Sequence, residues 1–450
     1  VLKEIAGMNK LAFFRFLSPT YLLWHICIAL VLAIALPALL GETIRPFIDA
    51  MQIPKELFTL VVKVLAPLIA FSALYTGILK SLRSGSRTSF FHSVLFYLAM
   101  CSAAVMIAFP IGYLASSSID TTGIKLLIEG NISSNVVPTG ESTFEKLSHS
   151  TILWAVCMAV LFAFVTDSKY REYTEKLEKK HNGRRADSIS FDEKQRCDVG
   201  LILISADSFI HFFEWIKPVA IQVLYLLVAV LSPWAIMGSL GGVVLKYGFS
   251  VITAYGDIIL LVFGALACQA VFLMFVTRVL AKVSVWQIFI RSRRTLIMAF
   301  STSSSKACLP SAMDEVEKMG VGRRFVDYQI ALGSSINMDG TAIYMGIVAF
   351  VFSYAWIGHH LDIATMIQLI FTCTVFAIGA AGIPSGSLVF LTTILPMVGV
   401  PAGAVFALQP IDAILDRGRT VLNIWGDITG AVTRAAMEGE LDRSQLQKKS

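Results

Sequence analysis

Residues 411–427 read Ile-Asp-Ala-Ile-Leu-Asp-Arg-Gly-Arg-Thr-Val-Leu-Asn-Ile-Trp-Gly-Asp. Within them Asp412, Asp416, Arg419, Asn423 and Asp427 recur at intervals of four, three, four and four residues. At about 100° per residue those side chains fall inside an arc of roughly 80° on one helix face. The residues around them (Ile411, Ala413, Ile414, Leu415, Val421, Leu422, Ile424, Trp425) are apolar enough for a bilayer interior. An ionised group at the bilayer centre costs about 2.5–3.5 kcal/mol on insertion scales. A one-faced stripe of both signs in such a setting predicts that something charged is held there.

Outward from that stretch, the whole chain has membrane composition. Of 450 residues, 56% are hydrophobic and 15% charged, and the mean hydropathy is +0.71. Soluble domains average about 25% charged residues. Apolar runs near the ~20 residues needed to span lie around 20–41, 57–80, 90–116, 150–166, 216–245, 250–281, 326–356 and 403–430. The net charge of +6 does not point to nucleic acid, because its distribution follows the spans. Lys3, Lys10 and Arg15 precede the first run, and Lys80, Arg83 and Arg87 follow the second. Lys169 to Arg185 follow the fourth, and Arg278 and Lys282 the sixth. Acid-containing loops at 42–56 and 120–146 alternate with them, so both termini are expected in the cytoplasm of a multi-pass cell-membrane protein. The first run is too long for a signal peptide and lacks a small-residue cleavage site. The seven cysteines form no C-x-x-C and sit mostly in apolar runs, which reads as packing rather than a disulfide framework or a zinc site.

Two later stretches are apolar but interrupted. Residues 287–300 lead into Ser301-Thr302-Ser303-Ser304-Ser305 and resume at Leu309-Pro310. Residues 363–378 lead into Gly379-Ala380-Ala381-Gly382-Ile383-Pro384-Ser385-Gly386-Ser387 and resume at Leu388–Leu395. Both read as re-entrant hairpins, since irregular backbone at membrane depth survives only against protein or a water-filled cavity. Broken helices in pairs point to a transport site. A third interruption, Asn337-Met338-Asp339-Gly340-Thr341, combines poor helix formers with a carboxylate, so it offers the hard oxygen donors an alkali cation takes. The fold class expected is an all-α polytopic membrane protein with about eight transmembrane helices plus two re-entrant helical hairpins.

At Ser303-Ser304-Ser305, Asn337-Met338-Asp339-Gly340-Thr341, Gly382-Ile383-Pro384 and the Asp412 to Asp427 series, the chain resembles the glutamate/aspartate transporter family, the dicarboxylate/amino acid:cation symporters. The match is strong over roughly 286–435; the first half agrees in span pattern. The resemblance implies an elevator-type homotrimer. Scaffold helices would occupy 1–85 and 119–248, the latter with a charged connector at 167–198. A transport domain would combine 86–118 with 249–440, including hairpins 286–320 and 362–400, and 441–450 would form a cytoplasmic tail. By the same resemblance Arg419 takes the substrate's side-chain carboxylate, Asp416 its ammonium group and Asn423 its α-carboxylate. Ser303, Ser305, Thr341, Ile383 and Thr420 close around it. Asp427 with carbonyls of Gly333, Asn337 and Asn423 would form one sodium site, and carbonyls of Ser335, Ala377, Ile378 and Ala380 a second. Asp339 and Asn337 would join Tyr97 in a third. The function implied is symport of sodium, or of protons, with L-glutamate or L-aspartate, without a prosthetic cofactor. A C4-dicarboxylate or neutral amino acid symporter and an anion-conducting channel are the alternatives.

Several residues depart from that family pattern. Met100 and Cys101 stand where hydroxyls are expected beside Tyr97, which removes hard oxygen from the third cation site. Met345 replaces the proton-carrying glutamate of the animal transporters, and Lys306 stands where many members carry serine. Arg417 is rotated off the acidic stripe and is expected to brace the first hairpin tip. An enzyme is not expected: Ser303-Ser304-Ser305-Lys306 fits S-x-x-K, but its companions S-D-N and K-T-G are absent. There is no Walker-A loop for ATP-driven pumping. His359 and His360 read as an exposed loop at a span end.

Overall fold

The computed structural model describes residues 19–51, 87–116, 118–131, 151–180, 236–380 and 386–447, with scattered helical positions in 53–79 and 211–234. Most of the spans expected at 57–80 and 216–245, the connector beyond 180, the second hairpin tip with Ile383, and 448–450 lie outside the described residues. What is described is helical: α1 (Pro19–Leu40), α2 (Arg45–Ala50), α3 (Arg87–Ser116), α4 (Thr121–Asn131), α5 (Thr151–Lys180), α6 (Val251–Ala281), α7 (Val285–Thr302), α8 (Ser305–Lys318), α9 (Arg323–Ile336), α10 (Asp339–Ile357), α11 (Ile363–Gly379), α12 (Gly386–Met397), α13 (Gln409–Glu438) and α14 (Arg443–Gln447). Among the described residues no β-strand occurs, only an isolated bridge between Val321 and Leu441. The chain is an all-α, polytopic membrane protein.

Four described stretches are long and apolar enough to cross a bilayer: His25–Ala50, Ser89–Ser116, Val251–Ala281 and Arg323–Ile357. The first three bury at most 33% of their most apolar window inside the protein, whereas Arg323–Ile357 buries 83%. The pair α9–α10 is therefore the central pillar and the others present lipid-facing sides. Around it pack α3, α6 and α13, with α7 and α8 against α13, α11 against α3 and α10, and α12 against α10 and α11. Helix α13 itself packs against α6, α7, α8, α9 and α10.

The interruptions are shorter than their sequences suggest. In the first hairpin only Ser303 and Ser304 leave the helical path. Ser303 adopts a left-handed conformation with φ 50° and ends α7, its N–H bonded to the Ala299 carbonyl at 2.9 Å. Ser304 starts α8, and its hydroxyl accepts from the Ala307 N–H at 3.3 Å, a side-chain cap that satisfies a free helix-end donor. In the central pillar only Asn337 and Met338 are unwound, and Gly340 and Thr341 already belong to α10. The second hairpin runs as α11 and α12, with Asp362 capping α11 through the Thr365 N–H at 2.8 Å.

Two elements differ from the sequence reading. The loop expected at 120–146 begins as α4, whose Gly123, Ile124, Leu127 and Ile128 are buried against α6, α10 and the turn Ala402–Ala407. That segment lies within the stretch assigned to the scaffold. In addition, α5 continues to Lys180, so the start of the charged connector is helical. His359 is exposed, but His360 stacks between Tyr113 and Tyr354, with ring centroids 4.4 and 4.6 Å away. The five cysteines described, Cys27, Cys101, Cys268, Cys308 and Cys373, are all unpaired thiols.

Candidate substrate and cation site

The acidic stripe forms one face of α13, and Arg419 is its centre. The guanidinium is 1% exposed and its Nη2 donates to Asp412 Oδ1 and Asp416 Oδ1, each at 2.8 Å. Sequence alone left Asp412 open between a structural pair and a site residue; here it shares the arginine with Asp416. The arginine carbon lies 4.3 Å from the centre of the Tyr344 ring, a cation–π contact that strengthens on desolvation. Nη1 of Arg419, Oδ2 of Asp412 and the Tyr344 hydroxyl are buried without a hydrogen-bond partner among the described residues. Asp416 differs from Asp412 in exposure, 28% against 4% of the side chain, so one carboxylate of the pair reaches the cavity side. The fork of Arg419 thus retains one unpaired arm in a desolvated setting, the geometry that binds carboxylates tightly.

Helix α10 is held unusually close to α13 at this level. The Gly340 N–H donates to Asn423 Oδ1 at 2.8 Å, and Asn423 Nδ2 points at the Met338 sulfur, 3.2 Å away. A Cβ on Gly340 would stand 2.8 Å from the Arg419 Cα, closer than real Cβ atoms come. Thr341 and Thr420 are buried beside this junction.

Two turns beyond Arg419 on α13 lies Asp427, and Asp339 opens α10. Asp427 Oδ1 accepts from Asn337 Nδ2 at 3.1 Å, and Asp339 Oδ2 accepts from Gln269 Nε2 at 3.2 Å. Both aspartates are fully buried, and among the described residues neither has an ion pair. Oδ2 of Asp427, Oδ1 of Asp339 and Oδ1 of Asn337 have no hydrogen-bond partner among the described residues. A Cβ on Gly426 would meet Asn337 Nδ2 at 2.5 Å and Asp339 Oδ2 at 3.3 Å, so Asn337, which also donates to Asp427, stands with Asp339 at that glycine. A Cβ on Gly333 would lie 2.6 Å from Asp427 Oδ1 and 3.1 Å from the Tyr97 hydroxyl. Such unpaired buried carboxylates cost several kcal/mol each unless a cation or proton joins them. The donors that converge are all oxygen, the ligand type alkali ions take. Cys101 is the exception. Its thiol donates to the Ile336 carbonyl at 3.7 Å where a hydroxyl was expected by resemblance.

Other residues from the sequence reading fall as follows. Gly333 O accepts the Asn337 N–H at 2.7 Å at the end of α9, and the Ser335 hydroxyl turns back to Ala331 O at 3.2 Å. Ala377, Ile378 and Ala380 close α11, with the Ala380 N–H on Phe376 O at 2.9 Å. Ser303 Oγ is buried in the first tip without a partner among the described residues, next to half-buried Ser305. Arg417 does not turn to that tip in this conformation; its Nη1 donates to Ala413 O of its own helix at 2.6 Å. Sequence reasoning missed Tyr344 and Gln269. For Gln269 a signal existed, since it is a lone amide within the otherwise apolar run 258–276.

A profile of the sodium:dicarboxylate symporter family matches residues 22–437. The chain is 31% identical over 228 residues to the proton/sodium-glutamate symport protein of Bacillus subtilis (strain 168), covering 51% of this chain and 53% of that protein. It is 30% identical over 214 residues to the proton/glutamate-aspartate symporter of Escherichia coli (strain K12), covering 48% and 49%. Over 152 residues it is 40% identical to the neutral amino acid transporter B(0) of Bos taurus, covering 33% and 27%. The aligned part of the chain spans about half the length of the two bacterial relatives. The family consists of transporters, not enzymes. The family profile covers nearly the whole chain, and the all-helical membrane fold agrees with it: this chain belongs to the sodium:dicarboxylate symporter family.

Proposed function

We propose that the protein is a secondary active symporter that couples inward movement of sodium, or of protons, to uptake of an acidic amino acid, L-glutamate or L-aspartate. The observation that carries this reading is the buried Arg419, anchored through Nη2 by two aspartates while Nη1 has no partner among the described residues. An incoming side-chain carboxylate takes Nη1, and Asp416, the more exposed acid, turns to the substrate ammonium. Asn423 takes the α-carboxylate, with Thr341, Thr420 and the serines of the first tip around it. Ile383 and its neighbours close the second tip.

Coupling follows from electrostatics. Asp427 and Asp339, with Asn337, Tyr97 and the carbonyls of Gly333, Ser335, Ala377, Ile378 and Ala380, hold the cations. Filling those positions neutralises the acids below the substrate, and the substrate in turn neutralises Arg419 and Asp416. Only the fully loaded or the empty body then crosses the membrane at low cost, because each differential interaction shifts the closed population by its own free energy. The body that moves comprises 86–118 and 249–440 in a homotrimer, with 1–85 and 119–248 as scaffold. The packing of α3 on α10, α6 and α11 supports joining 86–118 to the later half.

A second reading, transport of a neutral amino acid, is favoured by one observation. Arg419 is already compensated by Asp412 and Asp416, so a substrate without a side-chain charge would not strand it. Uptake of labelled aspartate, glutamate, succinate and serine into proteoliposomes under sodium and proton gradients separates the readings. Concentrative aspartate or glutamate uptake that Arg419→Cys abolishes supports the acidic reading. Serine uptake that survives Arg419→Cys replaces it with the neutral one, and steady current without accumulation replaces both with a channel.

A further inference from the structure

A line of polar groups continues beyond the cation pocket toward the end of α13. Ser89, Ser93 and Tyr97 lie four residues apart on one face of α3, facing Gln329 and Gly333 of α9 and Asp427, Gly430, Arg434 and Glu438 of α13. The Tyr97 hydroxyl accepts from Gln329 Nε2 at 3.2 Å. Ser93 Oγ donates to Gln329 Oε1 at 3.0 Å. Arg434 Nε donates to Ser93 Oγ at 3.4 Å, and Nη2 is paired with Glu438. Glu438 also accepts from Ser89 Oγ at 2.8 Å. At the inner end the Tyr97 ring lies against Gly430, and its hydroxyl faces the same Gly333 position as Asp427 Oδ1. The seam is thus continuous from the Asp427 carboxylate to the surface at Glu438.

Such a seam is a hazard for a coupled carrier. A row of oxygen and amide groups leading from a buried carboxylate to the surface offers a cation a way out that bypasses the substrate. Arg434 occupies the middle of it. Its side chain is 5% exposed while that of Glu438 is 26% exposed, so the positive charge faces inward and its partner's charge lies on the water side. Arginine does not lose its proton in proteins, and it stands seven residues, roughly 10 Å of helix rise, from Asp427. We propose that Arg434 is an electrostatic plug, a fixed positive charge that closes this seam to the coupling cation and so enforces joint movement with the substrate. The inference rests on the reading of Asp427 as a cation ligand. A merely structural tie between α3 and α13 would be the plain alternative, and it would need no charge.

The test is uptake of radiolabelled sodium into proteoliposomes without amino acid, under an inward sodium gradient. Arg434→Gln is expected to raise that influx on the order of tenfold, the factor for one charge about 10 Å away at an effective dielectric of about 20. Arg434→Lys keeps the charge and stays at the parent level. The double variant Arg434→Gln/Glu438→Gln, which leaves no lone buried charge, leaks like the single one and serves if the single one fails to assemble. Parent-level influx in well-folded neutral variants overturns the plug and leaves the structural tie, which would lower melting temperature alone. Asp427→Asn tests the underlying assignment separately. Sodium-dependent uptake that persists there removes the cation reading, whereas its loss, with no leak in Arg434→Gln, removes only the plug.

Discussion

At the residue scale, the stripe on α13 was legible because helical periodicity alone puts its members on one face. Which partner Arg419 chooses was not legible. The aspartates three and seven residues earlier both lie within its reach, and Tyr344 comes from another helix. Long-range partners depend on how helices approach, and here glycine sets that distance. Replacing Gly340 by Ala forces a Cβ onto the Arg419 backbone. Overpacking of this kind costs about 1–3 kcal/mol, and it would pull the Gly340 N–H off Asn423. We expect a lower melting temperature and weaker substrate affinity together, measured by thermal unfolding and ligand-dependent stabilisation of the purified protein. Gly256, whose added Cβ meets nothing within 4 Å, is the control. Ala there removes a helix-interior glycine and is expected to raise stability by roughly 0.5–1 kcal/mol.

At the scale of elements, both hairpins and the broken pillar could be located from sequence, but their unwound parts could not be measured. The serine run suggested five loose residues, and only Ser303 and Ser304 are non-helical. Serine is only mildly unfavourable in helices, so a serine run marks a possible break without fixing its width. Helix α4 was missed because its neighbours are polar. Its Ile124, Leu127 and Ile128 spacing is the signal that would have found it. The first hairpin turns on one left-handed residue, Ser303. Ser303→Gly accepts that conformation freely, and it removes a buried hydroxyl that has no partner among the described residues. Stability is then expected to hold or rise slightly. Ser303→Val places a β-branched side chain at positive φ, at a cost of about 1–2 kcal/mol. If Val and Gly melt alike, the tip does not rest on that conformation.

For the whole molecule, the arrangement around Asp427 and Asp339 makes stability a function of the cargo. Two fully buried carboxylates lie on either side of Asn337, and among the described residues neither is met by a positive charge. The packing of α6, α9 and α10 on α13 brings them together, and apolar packing elsewhere offsets the repulsion. Helical periodicity does not bring them together, since the two acids are 88 positions apart and meet only through the break between α9 and α10; the resemblance alone set both beside Asn337. A cation that binds the folded protein and not the unfolded chain stabilises it by RT ln(1 + [L]/Kd), about 2.7 kcal/mol at one hundred times Kd. Replacing sodium by choline at constant ionic strength is therefore expected to lower the melting temperature, and restoring sodium to raise it along a saturable curve. Choline is too large to enter an all-oxygen pocket, so general screening is held fixed. In Asp427→Asn one of the two buried charges is gone, and the melting temperature is expected to lose most of its response to sodium while remaining above that of the sodium-free parent. If protons are the cargo instead, the parent melts alike in sodium and choline and gains stability as pH falls in choline. A parent that responds to neither ion removes the two aspartates from the coupling mechanism.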